Sequence, residues 1–208
     1  MRIGFIGAGK VARTIARHML TAGHHVVISN SRGPATLAGT VADLGPGATA
    51  GTRQEAVDTD LVVLAVNWVD AKRAVDGLDW TGRILVDAIN AHVDSPPDIS
   101  LAGVTHSRAA LAGRTSSEIL AEWVPGAKVV KSISNMPMDW ISDFSADKPR
   151  TVIFTSGDDE AAKRVVIGLL DQVGFAAINL GSLAKGGAMH EVGAPLSGLD
   201  LHFVKRLR

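Results

Sequence analysis

The stretch Ile3-Gly-Phe-Ile-Gly-Ala-Gly-Lys-Val-Ala12 decides the fold of this chain. Its first residues belong to the short apolar run Arg2–Ile6, which is typical of a strand buried on both faces. The run stops at Gly7, and apolar residues then recur at helical spacing through residues 10–22. A buried strand, a glycine turn and an amphipathic helix in this order predict the first unit of a parallel α/β sheet.

The same alternation of strand and helix continues almost to the end of the chain. Further strands are predicted at His25–Ser29, Leu61–Val66, Ile84–Val86, Lys128–Ile133, Val152–Thr155 and Phe175–Ile178. Two of the helices between them begin with capping boxes, Thr52 with Glu55 and Thr115 with Glu118. Residues 91–114 and 182–195 have little periodicity. The pattern predicts a Rossmann-type, doubly wound, mostly parallel sheet with a short C-terminal α/β extension.

Composition excludes several classes of function. The 208 residues contain 21 Lys and Arg against 21 Asp and Glu, so a basic surface for nucleic acid is not expected. The chain has no cysteine, which excludes disulfides and thiolate metal sites. Histidine pairs at metal-binding spacing, Gly-x-Ser-x-Gly and Walker A motifs are missing, so neither a metal site nor hydrolase chemistry is predicted.

The sequence also predicts a cytoplasmic protein. The apolar run at the N-terminus is too short for a signal peptide, and only Arg2 follows the initiating methionine before it. No apolar stretch reaches the roughly 18 residues that a membrane-spanning helix needs. We therefore expect neither a membrane nor a nucleic-acid partner.

The glycine motif indicates a dinucleotide site. Residues 7–12 match the pattern G-x-G-x-x-G/A between a strand and a helix. Gly7 permits the tight turn, Gly9 allows the pyrophosphate to approach the backbone, and Ala12 allows close packing of helix on strand. The N-terminus of the helix then offers free N–H groups to the phosphates.

The end of the second strand favours NADP(H) over NAD(H). An NAD site usually has an acidic residue there, about 20 residues after the glycines, which binds the ribose 2′-hydroxyl. Here the strand ends in Asn30, Ser31 and Arg32, and no carboxylate occurs between His24 and Val41. An arginine pairs with a 2′-phosphate, whereas an acid repels it.

Polar and apolar residues follow the later strands at the edge where ligands bind in such folds. The amides and the hydroxyl suit ribose, a carboxamide or a second substrate, and the larger side chains suit the wall of a flat ring. The residues at these strand ends are Asn67, Trp68, Asn90, Ser134, Asn135 and Met136. No tyrosine is present, and no general acid or base is evident, which favours direct hydride transfer between two cofactors.

Five segments together resemble one family, the NADPH-dependent reductases of the deazaflavin coenzyme F420. They are R-I-G-F-I-G-A-G-K-V-A, S-N-S-R-G-P, L-A-V-N-W, G-A-K-V-V-K-S-I-S-N-M-P and L-G-S-L-A-K-G-G, and the likeness spans nearly the whole chain. The resemblance implies hydride exchange between NADPH and the deazaflavin as co-substrate. This chain differs from an archaeal-type member of the family in two ways. It has Ser134 and Asn135 where that member has His and Thr, and its C-terminal extension is shorter.

The resemblance assigns roles to individual residues. The predicted cofactor-binding residues are Gly7, Gly9, Lys10 and Val11 at the pyrophosphate, Asn30, Ser31 and Arg32 at the 2′-phosphate, and Val66 and Asn67 beside the nicotinamide, together with Ala65 and Asn90. The predicted residues around the acceptor ring are Trp68, Ser134, Asn135, Met136 and Pro137. Residues 1–150 are then the NADP-binding domain, and residues 151–208 form a small subdomain that completes the sheet and the acceptor pocket.

Two alternatives remain open at the level of sequence. One is an NADPH-dependent flavin or ferric reductase, because ferric reductases of the six-transmembrane epithelial antigen group have a similar cytoplasmic domain. The other is an NADP(H)-binding sensor without turnover, which the missing acid or base favours. The resemblance also implies a homodimer. Segment 181–195 and the tail Leu196–Leu207 either form its interface or close the sheet.

Overall fold

The strands form one continuous sheet in the order β3-β2-β1-β4-β5-β6-β7-β8, with β9 paired to β7. The computed structural model describes residues 1–91, 111–142 and 149–204. Its strands are β1 Arg2–Ile6, β2 His25–Ser29, β3 Ala48–Ala50, β4 Leu61–Leu64, β5 Ile84–Asp87, β6 Lys128–Ser132, β7 Arg150–Gly157, β8 Ala176–Asn179 and β9 His202–Phe203. Its helices are α1 Lys10–Thr21, α2 Ala38–Leu44, α3 Arg53–Val57, α4 Trp68–Val75, α5 Ser116–Trp123, α6 Glu160–Gln172 and α7 Ala188–His190.

The sheet confirms the predicted fold class. Strands β1 to β6 all pair in parallel. The direction reverses between β6 and β7, which pair antiparallel, and β8 then runs parallel to β7. The chain turns from one half of the sheet to the other between β1 and β4, and ligands of doubly wound sheets bind beyond the strand ends at such a switch point.

Helices cover both faces of the sheet. Ile3 and Phe5 of β1 are fully buried in a core cluster that includes residues of α1 and α6. Ile6 points into a second cluster, built with α3, α4 and α5 on the opposite face. On that face α3 lies directly on β1, because a Cβ at Gly4 would fall 1.8 Å from the carbonyl oxygen of Ala56. Each face therefore buries an apolar layer, as a parallel sheet requires.

Local sequence signals explain how the elements around the site begin and end. Both predicted capping boxes are present, at Thr52 with Glu55 and at Thr115 with Glu118. Pro34 begins a 3-10 turn, Pro34–Leu37, that continues into α2, as suits a proline in the first turn of a helix. None of the helices in the described parts of the chain is both long and apolar enough to cross a bilayer.

Several elements differ from the sequence prediction, among them strand β9 and the 3-10 turn Met138–Ile141, neither of which was predicted. Strand β3 was not predicted, because three residues are too few to show an alternation of apolar and polar side chains. Helix α4 was not predicted, because only two of its residues, Ala71 and Val75, are buried, and two positions are too few to show a helical pattern. The segment Leu183–Gly187, predicted to be irregular, is one turn of π-helix that continues into α7. The proposed boundary between two domains at residue 150 stays a prediction, and the sheet itself continues across it.

Candidate active site

The glycine turn after β1 is held by backbone contacts that a side chain would disrupt. Gly7 has φ +117°, a conformation that L side chains rarely adopt. Its N–H donates to the carbonyl oxygen of Ser29 at 3.0 Å. A Cβ at Gly7 would lie 2.1 Å from the carbonyl oxygen of Ala65. The turn thus joins the ends of β1, β2 and β4, and it needs glycine to do so.

Gly9 leaves the N-terminus of α1 open. It is the N-cap residue, with φ −78° and ψ −170°, and no side chain caps the helix. A Cβ at Gly9 would meet no atom of the described chain within 4 Å. The first turn of α1 contains no acidic residue. Because the first N–H groups of a helix lack partners within it and carry partial positive charge, this end suits a phosphate.

The loop after β2 presents Ser31 and Arg32 to solvent. Asn30 shapes this loop with both ends of its side-chain amide, since Nδ2 donates to Thr36 Oγ1 at 2.9 Å and Oδ1 accepts from the N–H of Arg32 at 3.0 Å. Ser31 and Arg32 are exposed, and none of the described acidic residues pairs with the Arg32 guanidinium. Asn30 therefore builds the loop, and Arg32 is available to an anion.

A cleft of about 920 Å³ lies beyond the ends of β1, β2 and β4. All the predicted cofactor residues except Asn90 line it. These are Gly7, Gly9, Lys10, Val11, Asn30, Ser31, Arg32, Ala65, Val66 and Asn67. The cleft is large enough for a dinucleotide-sized ligand, since ligand sites typically measure about 300–1,000 Å³.

The cleft also contains residues that sequence reasoning missed, among them Arg53, Asp70, Arg73 and Ala88. Arg53 Nη1 donates to the carbonyl oxygens of Arg73 and Ala74, at 2.7 and 2.9 Å, which fixes its guanidinium at the end of α4. Arg73 forms an ion pair with Asp70 at 2.7 Å. The capping box at Thr52 was the sequence signal that placed Arg53 in the first turn of α3. The position of Arg53 beside the cleft, however, depends on β3.

The lining residues make the cleft cationic. Lys10, Arg32, Arg53 and Arg73 stand against one acidic lining residue of the described chain, Asp70. This excess of positive charge is local, because the chain as a whole is neutral. A phosphorylated ligand therefore finds its counter-charges without a basic protein surface.

Trp68 lies outside the cleft lining. It begins α4 and packs on Trp123 of α5, with ring centroids 5.1 Å apart and planes tilted by 30°. Its half-buried ring contributes to the core on that face of the sheet. The structure thus brings Trp68 together with α5, and its predicted role at the acceptor ring stays a prediction.

The segment after β6 begins with a strained residue. Ile133 has φ +57°, which is rare for a β-branched side chain, and it is buried in the core. Such strain persists where the surroundings fix the backbone, and it concentrates at functional sites. It redirects the chain directly before Ser134, and no sequence signal marks it.

Unpartnered polar atoms follow this residue. Ser134 and Asn135 are buried, and within the described chain the Ser134 hydroxyl and both ends of the Asn135 amide have no hydrogen-bond partner. Asn90 Nδ2 donates to the carbonyl oxygen of Ser134 at 2.8 Å, while its own Oδ1 is unpartnered. Buried polar atoms usually have partners, so this cluster is suited to a ligand that supplies them. Met136 and Pro137 complete the segment, the former in the core.

Two contacts connect this segment to α1. Lys10 Nζ lies 2.6 Å from Asp139 Oδ1, with both side chains largely exposed. His18 of α1 bonds through Nε2 to the carbonyl oxygen of Ile141 at 2.5 Å. Burial lowers the His18 pKa, and the bond to Ile141 opposes that shift. The helix that presents its N-terminus to the cleft thereby also holds the turn Met138–Ile141.

Together these residues fit NADP(H). The open cradle at Gly9, the uncapped end of α1 and the exposed Arg32 match a pyrophosphate and a 2′-phosphate. Residues 2–91, which contain the glycine turn and most of the cleft, match the family model described as NADP oxidoreductase coenzyme F420-dependent. The part of the chain that forms the cleft is thus similar to this family.

Solved structures extend the family likeness over nearly the whole chain. The hypothetical protein SMa0349 of Sinorhizobium meliloti is 35% identical with a TM-score of 0.87, over 98% of this chain and 97% of that one. A candidate F420-dependent NADP reductase of Arthrobacter sp. FB24 is 28% identical with a TM-score of 0.69, over 88% and 86% of the two chains.

A curated relative points to a different acceptor. Metalloreductase STEAP3 of Rattus norvegicus is 26% identical over 186 residues, which are 88% of this chain. The chain spans about a third of the length of that relative, 34%. The named relatives of this chain thus differ in the acceptor that their names specify.

A second buried polar cluster lies between β7 and α7, outside the cleft lining. Ser156 Oγ is 3.0 Å from Nε2 of the fully buried His190. Burial, assisted by the charge of Lys131 and opposed by Glu191, lowers the His190 pKa to about 3. This histidine is therefore neutral at physiological pH. No group of three or more potential metal ligands occurs among the described residues.

The lowered pKa of His190 makes stability depend on pH. In the unfolded chain this side chain gains a proton below its ordinary value of 6.5, whereas in the folded protein it stays neutral down to about 3. The unfolded state therefore binds more protons, and the free energy of unfolding should fall by about 2 kcal/mol between pH 7 and about pH 5. Urea denaturation across this range measures the slope. His190→Gln should reduce this slope and leave the part that comes from His18, whose pKa burial also lowers. An unchanged slope in that variant would contradict the assignment to His190.

Proposed function

We propose that this chain transfers a hydride between NADP(H) and a second planar redox ring, with the deazaflavin coenzyme F420 as the leading acceptor. The observation that carries the proposal is the pairing of a cationic, phosphate-suited cleft with buried amide and hydroxyl groups that have no partner among the described residues and follow strands at the same edge of the sheet. The family match and the Arthrobacter relative favour F420.

The proposed roles divide along the cleft. Ser31 and Arg32 bind the 2′-phosphate, and the N–H groups at the start of α1 bind the pyrophosphate. NADPH, when bound, supplies the hydride. Ala65, Val66, Asn67 and Ala88 line the part of the cleft nearest β4 and β5, where they hold the nicotinamide end and exclude water. In this arrangement the protein acts by position, since cofactors carry the redox chemistry.

The acceptor side needs hydrogen-bond donors and acceptors more than charge. The amides of Asn90 and Asn135 and the hydroxyl of Ser134 offer both kinds of group to the carbonyl and N–H edge of a planar heterocycle. A hydride carries its own electron pair, and the accompanying proton comes from water. A general acid such as His190 is therefore not required, and its lowered pKa makes it unsuited to that role.

A metal-linked or flavin acceptor is the second candidate. The observation in its favour is the similarity to Metalloreductase STEAP3, which covers 88% of this chain. An NADPH-dependent flavin or ferric reductase would use the same cofactor cleft and would differ in the group that receives the electrons. A non-catalytic NADP(H) sensor is the outcome in which neither candidate holds.

Anaerobic mixing of the protein with NADPH and one acceptor at a time distinguishes these possibilities. The acceptors are F420, FMN, FAD and a ferric chelate with and without FMN. Loss of the oxidised F420 absorbance, at a rate well above that with the flavins, is the expected result. Faster reduction of a flavin or ferric chelate supports the second candidate. Tight binding of NADPH with no turnover of any acceptor contradicts both and identifies a sensor.

Asn135→Leu should separate the two ends of the site. The change keeps the branched shape and heavy-atom count of the buried side chain but removes both polar ends, so kcat/KM for the acceptor should fall about tenfold or more. The NADPH dissociation constant should stay within about twofold, because Asn135 does not line the cofactor cleft. Stopped-flow reduction and NADPH fluorescence titration measure the two quantities. The control is Asn179→Leu at the exposed end of β8. Loss of NADPH binding in Asn135→Leu would place this residue in the dinucleotide site instead.

A further inference from the structure

A buried ion pair lies behind the cleft, between β5 and β6. Asp87 and Lys131 face each other in register, and both are fully buried. Lys131 Nζ lies 3.6 Å from Asp87 Oδ2, and the same carboxylate oxygen accepts a hydrogen bond from Ser117 Oγ at 2.6 Å. Charges are rarely buried fully unless they are paired and hydrogen-bonded, and neither the proposed mechanism nor the cleft lining uses this pair.

The pair holds one peptide segment from both sides. Asp87 Oδ1 accepts the N–H of Ile89 at 3.0 Å. Lys131 Nζ donates to the carbonyl oxygen of the same residue. Both backbone groups of Ile89 are thus bound by ionised side chains, and hydrogen bonds to charged groups are about twice as strong as neutral ones.

The clamped segment carries the residues that face the site. Ala88, on one side of Ile89, lines the cleft. Asn90, on the other side, donates to the carbonyl oxygen of Ser134 and so joins the segment after β5 to the segment after β6. A displacement of Ile89 would move the cleft wall and the acceptor segment together.

Stability alone does not account for this arrangement. Replacing a buried ion pair by well-packed apolar residues is often neutral or stabilising, although removal of one partner alone is strongly destabilising. An apolar pair would fill the same space, but it would not fix the orientation of the N–H and carbonyl groups of Ile89. We infer that Asp87 and Lys131 are positioning residues for the nicotinamide end of the site, acting through the backbone of Ile89. This inference rests on the proposed function.

The test compares NADPH with 2′,5′-ADP, which carries the adenosine and 2′-phosphate half of the cofactor and lacks nicotinamide. Asp87→Asn with Lys131→Met removes both charges, avoids a lone buried charge and keeps an acceptor for the N–H of Ile89. Calorimetry should show the affinity for 2′,5′-ADP within about twofold of the native value, whereas NADPH binds roughly tenfold more weakly and hydride transfer slows by about 10- to 100-fold.

Two further variants keep the test decisive. Ser117→Ala removes one hydrogen bond to Asp87 and keeps both charges, so it should shift the affinity ratio in the same direction by about threefold. Lys163→Met is the matched control. Lys163 is an equally buried lysine, paired with Glu160 at 2.6 Å and bonded to the carbonyl oxygen of Gly181, and it does not line the cleft. Its affinity ratio should remain native.

An unchanged ratio in both the double variant and Ser117→Ala would overturn the inference. Equal weakening of NADPH and 2′,5′-ADP, or the same shift in Lys163→Met, would reduce the pair to a general structural role and would also overturn it. The ratio of affinities needs no acceptor. If the native protein reduces none of the acceptors, the proposed function fails, while the binding ratio still decides whether Asp87 and Lys131 position this end of the site.

Discussion

Replacing Arg32 with aspartate is expected to weaken NADPH binding by about a hundredfold or more while NADH binding changes little. Arg32 is exposed at the cleft, and none of the described acidic residues pairs with it. A guanidinium–phosphate bond contributes about 1.5–3 kcal/mol, and an introduced carboxylate adds repulsion of the 2′-phosphate. NADH lacks that phosphate, so it loses neither term. Calorimetric titration with both cofactors measures the difference.

Arg17→Asp is the control for the Arg32 experiment. Arg17 is exposed on α1 and does not line the cleft, and its replacement changes the net charge by the same amount. It should leave both affinities near native at physiological ionic strength, because exposed charges beyond a Debye length of about 8 Å are largely screened. Equal weakening of NADPH and NADH in Arg32→Asp would refute the assignment of Arg32 to the 2′-phosphate.

Replacement by alanine should affect folding stability differently at the two glycines of the turn. Gly7→Ala places a Cβ 2.1 Å from the carbonyl oxygen of Ala65 and forces alanine to φ +117°. The backbone must shift, so the free energy of unfolding should fall by at least about 3 kcal/mol. Gly9→Ala introduces a Cβ that meets no described atom within 4 Å, and its φ and ψ suit alanine. Its stability should stay within about 1 kcal/mol of native.

Binding should then separate Gly9 from Gly7. The added methyl at Gly9 occupies space that the pyrophosphate needs for its approach to the backbone, so NADPH affinity should fall about tenfold or more in a protein that is still folded. Chemical denaturation and fluorescence titration of each variant provide the two measurements. Native NADPH affinity in Gly9→Ala would show that the phosphates do not bind at the start of α1.

The parts of the site that sequence could predict are those with a local cause. The turn at Gly7 and the loop that ends in Arg32 are encoded within a few residues, so both could be identified from the sequence. Arg53 enters the cleft because the short strand β3 places α3 beside it, and three residues carry too little pattern to reveal that strand. Trp68 follows a strand end as predicted, yet its packing on Trp123 depends on a helix nearly fifty residues later, which only the tertiary fold brings close.

Buried charge and backbone strain were also beyond sequence reasoning. Lys131 occurs in an apolar strand, where a lysine is normally interpreted as an exposed edge residue. Its partner Asp87 lies 44 residues earlier in the chain. The conformation of Ile133 runs against the preference of its own side chain. Each is imposed by contacts distant in sequence, which is why local propensity does not report them.

The reversal of direction between β6 and β7 has an evolutionary consequence. The chain leaves β6 and enters β7 at the same edge of the sheet, so the connection from Ile133 to Pro149 needs no crossover helix. Doubling the length of such a connection costs only about 0.6 kcal/mol in loop closure. Insertions and exchanges in this connection leave the register of the strands that carry the cofactor cleft unchanged. Under the proposed function, the acceptor end can therefore diverge in evolution while the nucleotide-binding half is retained.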